Sequence, residues 1–304
     1  MSNPRQRIAC LAGDGVGPEL MGEATRALSR LSELHALAID EEHLPFAGEA
    51  VTRFGHPLPL STRSAYRNAD AILVASPREP ALEALKADLD LVWRVSRVHL
   101  HPASDVLVFA AVGSSWPQYA VHRAFFSAGS KHGRLTAVGS SPAWLAAVEA
   151  EHDRWGAMEV EHRTIGETLL RLREPAGGLD VIVTEAELAE PLTDAAAHLG
   201  GSPATAAHAW LGEGGPGLFV PGVGESADMA GFGVADPTAM LLTVSLLLAE
   251  GLQRRSAART LERAVTAVAQ LNGASPGTRS FTDAVIDRLA EARTDVELFE
   301  EIWT

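Results

Sequence analysis

The apolar and polar positions divide the chain into short apolar runs separated by longer amphipathic stretches. Arg7 to Ala12 is an apolar run ending at a glycine, which predicts a buried strand. Pro18 opens an amphipathic stretch, ELMGEATRALSRLSELH, and proline suits the first turn of a helix. Ala36 to Asp40 alternates and predicts a second strand. The prolines of PLPLSTRSAYRNAD lead into a predicted helix, and Ala71 to Ser76 reads as a strongly apolar strand. DVLVFAAVG, RLTAVGS and LDVIVTE predict further strands, with helices around Ala120–Gly129, Ala143–Arg154 and Ile165–Arg173. Glycine and proline crowd Gly212 to Glu225, which predicts a long surface loop, and two long helices follow from Pro237 and Ser256. Strands alternating with helices predict an α/β protein with a largely parallel sheet.

Length and charge narrow this picture. The chain has 304 residues, enough for one large or two medium domains, and no linker divides it cleanly, so two domains would interleave. A net charge of −14 argues against nucleic acid or an anionic membrane as partner, because like charges repel. The single cysteine, Cys10, sits in an apolar run and excludes a disulfide framework within one chain. A reducing cytoplasm is the expected setting. The N-terminal apolar segment is too short for a signal peptide, and Ala239 to Ala249 is too short to span a bilayer.

Candidate chemistry begins at Gly13-Asp14-Gly15-Val16-Gly17-Pro18-Glu19. A dinucleotide fingerprint needs a third glycine where Pro18 stands. On physics alone, the stretch is better read as a tight turn that uses glycine for unusual backbone angles.

Several blocks recur together in order. GDGVGPELM is followed by FAGEAVTRFGHPLPLSTRSAYRNADAILVAS, then DVIVTEAELAEPLTDAAAHLGGS. GPGLFVPGVGESADMAGFGVADPTAMLLTVSLLLA and TRSFTDAV close the series. Over most of its length the chain resembles the isopropylmalate/isocitrate dehydrogenase family, the β-decarboxylating dehydrogenases. The resemblance implies an isopropylmalate dehydrogenase-like two-domain α/β/α sandwich. Residues 1–98 plus 199–304 would form a terminal domain with the cofactor loop, and residues 99–198 a central dimerisation and substrate domain. It also implies an oxidoreductase that passes hydride from a small 2-hydroxy acid to NAD, with Mg²⁺ or Mn²⁺, before the β-keto acid loses carbon dioxide.

The resemblance carries over residue by residue. Glu190 and Asp194 fall at the metal-ligand positions, and their i, i+4 spacing puts both carboxylates on one helix face. Glu190 stands where the family has aspartate. Lys86 takes the place of the first arginine of the carboxylate clamp. The second falls at Ser96, with Arg94 and Arg97 as flanking candidates for substrate binding. Lysine lacks the planar fork of arginine. In the cofactor loop Gly224, Asp228, Ala230, Gly231 and Asp236 are the candidate NAD contacts, with Asp228 at the acid that accepts ribose hydroxyls. Val223 replaces a histidine beside adenine, and Asp236 an asparagine.

The proton-transfer positions depart from the family. Ser140 stands at the catalytic lysine, and Lys131 precedes the strand rather than following it. Several dozen residues, including the tyrosine segment, are missing after DVLVF, and Tyr119 sits in a different context. Three readings stand. One is a working NAD- and metal-dependent dehydrogenase. Another is a pseudoenzyme acting as a binding or regulatory subunit. The third is a different enzyme on the same scaffold. The expected assembly is a homodimer or a hetero-oligomer with an active relative.

Overall fold

The first strand, β1 (Gln6–Gly13), is apolar and buried through its middle and ends on the glycine turn. In the computed structural model, residues 5–76, 80–101, 104–113, 116–131, 133–174, 179–200, 206–222, 226–271 and 277–302 are described. The chain forms two units, Met1–Asp90 with Gly214–Thr304, and Leu91–Glu213. The division expected from the resemblance set its junctions at 98/99 and 198/199.

In the first unit, α1 (Gly17–His35) follows β1 with Pro18 in its first turn. Strand β2 (Ile39–His43), helices α2 (Ala47–Phe54) and α3 (Leu60–Tyr66), strand β3 (Ala71–Ser76) and helix α4 (Ala81–Ala87) come next. β2 and β3 flank β1, all parallel. The second strand begins three residues later than expected. Ala36 caps α1 in a left-handed conformation, φ 50°, so the helix exit consumes the first residues of the alternation.

The tight-turn reading of the glycines has a packing cause. A Cβ on Gly17 would lie 2.0 Å from the Ala12 carbonyl oxygen. One on Gly13, at φ +74°, would lie 2.2 Å from the Ser76 carbonyl oxygen at the end of β3. Asp14 between them turns its carboxylate to α2, where the Gly48 amide donates to Oδ1 at 2.9 Å and Oδ2 at 3.1 Å.

The second unit holds β4 (Trp93–His101), β5 (Ser104–Ala111), α5 (Pro117–Gly129), β6 (Arg134–Val138) and α6 (Pro142–Trp155). It continues with β7 (Glu159–Arg163), α7 (Ile165–Leu172), β8 (Val181–Thr184), α8 (Ala186–Leu199) and β9 (Ala206–Leu211). The strand order is β9-β4-β5-β8-β6-β7. β5, β8, β6 and β7 run parallel, whereas β4 pairs antiparallel with both β5 and β9. Its core joins Val98, Val106, Val108, Val138 and Ile182 of the sheet to Leu192 and Ala196 of α8.

The chain then returns to the first unit through β10 (Gly217–Pro221), which pairs parallel with β3. Every residue of β10 is buried, so the stretch predicted as a long surface loop contains a core strand. Its glycines and prolines mask a three-residue apolar run, Leu218 to Val220. Helices α9 (Thr238–Leu246), α10 (Arg255–Leu271) and α11 (Thr278–Ile302) complete the unit. No helix among the described residues is long and apolar enough to cross a membrane.

Candidate functional site

The topology of the second unit brings chemistry to one edge of its sheet. The parallel strands β5, β8 and β6 end where antiparallel β4 begins, and β9 ends beside that start. The carboxyl edge of a parallel sheet is where open α/β sheets collect ligand-binding groups. Arg94 opens β4 there, opposite Trp210 of β9 in register, and Ser96 lies opposite His208. Side chains alternate between faces along a strand, so these four share one face.

They also touch. The Arg94 guanidinium lies 5.9 Å from the Trp210 ring centre, and the His208 and Trp210 rings are 5.9 Å apart. Arg94 Nη2 donates to Ser96 Oγ at 3.2 Å, and Ser96 Oγ is 2.9 Å from His208 Nδ1. The Ser96 hydroxyl thus accepts from Arg94 and shares a second hydrogen bond with the His208 ring. Ser96 is fully buried.

Arg94 is the under-satisfied member. Its Nε is buried and has no hydrogen-bond partner among the described residues. Burial pulls its pKa down, and the charges of Glu190 and Asp194 on α8 offset that only in part. The group stays cationic, because no protein environment removes a guanidinium proton near neutrality. A half-buried cation short of acceptors is a place where an added carboxylate lowers the energy.

Glu190 and Asp194 are exposed on α8. Pro191 lies within the helix and does not end it. Two exposed carboxylates one turn apart fit a magnesium-class cation, which takes one or two carboxylates and completes its shell with water. Glu190 and Asp194 are therefore the side chains of α8 that could hold Mg²⁺ or Mn²⁺. Glu167, an acid of α7, is committed elsewhere. Its carboxylate accepts from the Thr164 amide and hydroxyl at 2.8 Å each, forming the capping box of α7.

The structure thus places Arg94 within electrostatic reach of Glu190 and Asp194, and adds Ser96, His208 and Trp210 at the arginine. It does not bring Arg97 to them. Arg97 points from the other face of β4, where its Nε donates to Asp105 Oδ2 at 2.7 Å and Lys131 Nζ lies 3.8 Å from the same oxygen. Burial works against the Asp105 charge, but Arg97 and Lys131 outweigh it and hold the carboxyl well below its usual range. Lys86 belongs to the first unit and pairs with Glu83 of its own helix at 2.8 Å.

The positions expected to move protons are occupied differently. The Ser140 amide donates to Glu185 Oε2 at 3.1 Å and the Ser141 amide to Oε1 at 2.9 Å. Burial raises the Glu185 pKa, but these hydrogen bonds prevail and keep it ionised. Glu185 thus binds the loop before α6 at the carboxyl edge. Tyr119 is exposed on α5, 41%. The chain has two lysines, Lys86 and Lys131, and each is held in an ion pair.

The cofactor-loop candidates lie in the first unit. Asp228 is exposed on a short 3₁₀ turn, Ala227–Met229. Ala230 follows it, and Gly231 at φ 79° and Gly233 at φ 66° shape the turn that presents Phe232, 75% exposed. The Thr278 amide, at the start of α11, donates to the Gly233 carbonyl at 2.9 Å. Thr278 Oγ1 lies 2.7 Å from the Ala235 carbonyl oxygen and 2.8 Å from Glu19 Oε1. Asp236 is spent on structure, because its Oδ1 accepts from the Thr238 amide at 2.9 Å at the start of α9. Gly224 and Val223 lie outside the described residues. Asp228, an exposed acid beside a glycine turn, is the side chain there that could accept from the ribose of NAD.

The sequence matches the family model for isocitrate/isopropylmalate dehydrogenase over residues 7–92 and 122–282. The chain belongs to the isocitrate/isopropylmalate dehydrogenase family. Among curated relatives, a 3-isopropylmalate dehydrogenase of Synechococcus sp. (strain CC9902) is 31% identical over 86% of this chain and 90% of its own. One of Lactococcus lactis is 28% identical over 98% of both chains. A β-decarboxylating dehydrogenase from Thermococcus kodakarensis shares the fold, with a TM-score of 0.79 at 20% identity over 98% of this chain and 99% of its own. An isocitrate dehydrogenase from Methylococcus capsulatus does so with a TM-score of 0.76 at 21% identity over 93% and 99%. The isopropylmalate dehydrogenase-like α/β fold expected from the sequence is therefore established. Arg94, Ser96 and Tyr119 all fall in the stretch 93–121 that the family match leaves out.

Proposed function

We propose that this member of the family binds the carboxylate of a small 2-hydroxy acid beside a divalent cation, at Arg94, Glu190 and Asp194. In this reading oxidative decarboxylation is impaired or absent. The observation that carries it is the Arg94 guanidinium. It is half-buried against Trp210, short of acceptors, and within the field of the two α8 carboxylates. Arg97, by contrast, meets its counter-charge directly at Asp105.

Three observations support the loss of turnover. Ser140 carries no ionisable side chain where the resemblance puts the lysine. Lys131 is engaged by Asp105, and Lys86 by Glu83. The other tyrosine, Tyr66, is buried and hydrogen-bonded to Asp88. A bound metal would polarise the hydroxyl of the acid. Arg94 would orient the carboxylate, and the Ser96–His208 pair would hold the guanidinium in place.

Asp228 and the Gly231–Gly233 turn support retained binding of NAD in the first unit, separable from turnover. Exposed Trp116 (72%) and Tyr119, in the stretch the family match leaves out, favour pairing with an active relative over an independent enzyme. A cytoplasmic setting suits the one buried thiol.

The test mixes the protein with Mn²⁺, NAD and each of 3-isopropylmalate, isocitrate and malate, and follows NADH absorbance. The expected result is no NADH above the no-protein control. Sustained NADH production with any of the three acids would overturn the reading.

A further inference from the structure

A second cluster of metal-ligating side chains lies in the first unit, on the β1–β2 pair. Cys10 and His43 are partners in the parallel register, and Glu41 pairs with Ile8 two residues earlier. Residues two apart on a strand share a face, so all three side chains project together. Cys10 Sγ, a Glu41 carboxylate oxygen and a His43 ring nitrogen lie within 4.8 Å of one another. Glu41 Oε2 is buried and 3.9 Å from His43 Nε2, and the Thr25 hydroxyl is the other polar group facing this carboxylate.

We infer that Cys10, Glu41 and His43 form a binding site for a borderline-soft divalent cation of the zinc class. Donor chemistry selects the ion. Thiolate with imidazole and carboxylate suits Zn²⁺ and disfavours Mg²⁺, which demands oxygen. Charge agrees, because one thiolate and one carboxylate neutralise a dication while imidazole adds none. Geometry agrees as well. Tetrahedral zinc with these ligands separates its donor atoms by about 3.5 Å, a distance Glu41 and His43 nearly show. The sulfur, within 4.8 Å of both, would draw in when the ion binds. The gradient from buried Cys10 to the 55%-exposed His43 side chain leaves the fourth position facing water. The bound ion would cross-link β2 to β1. This site is separate in residues and in ion preference from Glu190 and Asp194.

The chain has one cysteine, which makes the test specific. Cobalt is titrated into the metal-free full-length protein, and the thiolate-to-cobalt charge-transfer band is read in the near ultraviolet. The expected result is a saturable band at one equivalent, displaced by Zn²⁺. It should be absent in Cys10→Ala and require at least about tenfold more cobalt in His43→Ala, the loss of a ligand costing no less than that of its supporting partners. His43 lies at an exposed strand end, so this variant keeps the fold, and circular dichroism verifies it. No band with cobalt in excess would overturn the inference. So would a band unchanged in His43→Ala, or cobalt binding that Glu190→Gln removes and Cys10→Ala does not.

Discussion

His208 Nδ1 and Ser96 Oγ meet at 2.9 Å across the antiparallel pair of β9 and β4, in the buried layer beneath Arg94. The hydroxyl is the link through which the imidazole fixes the arginine. Ser96→Ala removes it and leaves two polar groups without their shared partner. The variant should lose about 1–3 kcal/mol in urea unfolding, the cost of stranding a buried hydrogen-bonding group.

Asp105 is held ionised by Arg97 and Lys131 on the opposite face of β4. A carboxyl whose folded pKa is depressed stabilises the fold fully above its unfolded value. That contribution fades as pH falls below about 4, through the lower folded value. The wild type should therefore lose stability on acidification more steeply than Asp105→Asn. At neutral pH, Asp105→Asn should cost about 1–3 kcal/mol, less than a fully enclosed pair. The reason is that 31% of the Asp105 side chain remains open to water. Urea midpoints at pH 3 and pH 7 check both statements.

The glycines of α1 should behave oppositely. Gly17→Ala drives a methyl into the Ala12 carbonyl and should destabilise by about 1–3 kcal/mol or more. Gly22→Ala meets nothing within 4 Å on the exposed side of the same helix and should stabilise by about 0.5–1 kcal/mol. Thermal melts of the two variants should move in opposite directions.

Burial, with a smaller contribution from the Glu41 charge, pushes the Cys10 thiol up to about 12. Only thiolate is alkylated at an appreciable rate. Iodoacetamide at pH 8 should leave the folded protein unmodified and label it once in denaturant, as read by mass spectrometry.

Much of this arrangement was legible beforehand. The apolar runs at Ala71–Ser76 and in DVIVT became β3 and β8 because a strand buried on both faces needs no alternation. Strand β10 was hidden because glycine and proline on both sides outweighed the apolar run between them. Arg94 and Arg97 looked equivalent as neighbouring cations, yet an odd spacing on a strand sends them to opposite faces, and that parity was present in the sequence. His208 and Trp210 were missed. Their alternation with buried Ala207, Ala209 and Leu211 was the available signal, but the partner strand that gives them meaning lies more than a hundred residues away.

The most direct measurement is calorimetric titration of 3-isopropylmalate into the protein with and without Mn²⁺, beside Arg94→Gln and Asp194→Asn. The account predicts saturable binding that requires Mn²⁺ and is lost in both variants. Binding unchanged in Arg94→Gln, or equally strong without metal, would contradict it.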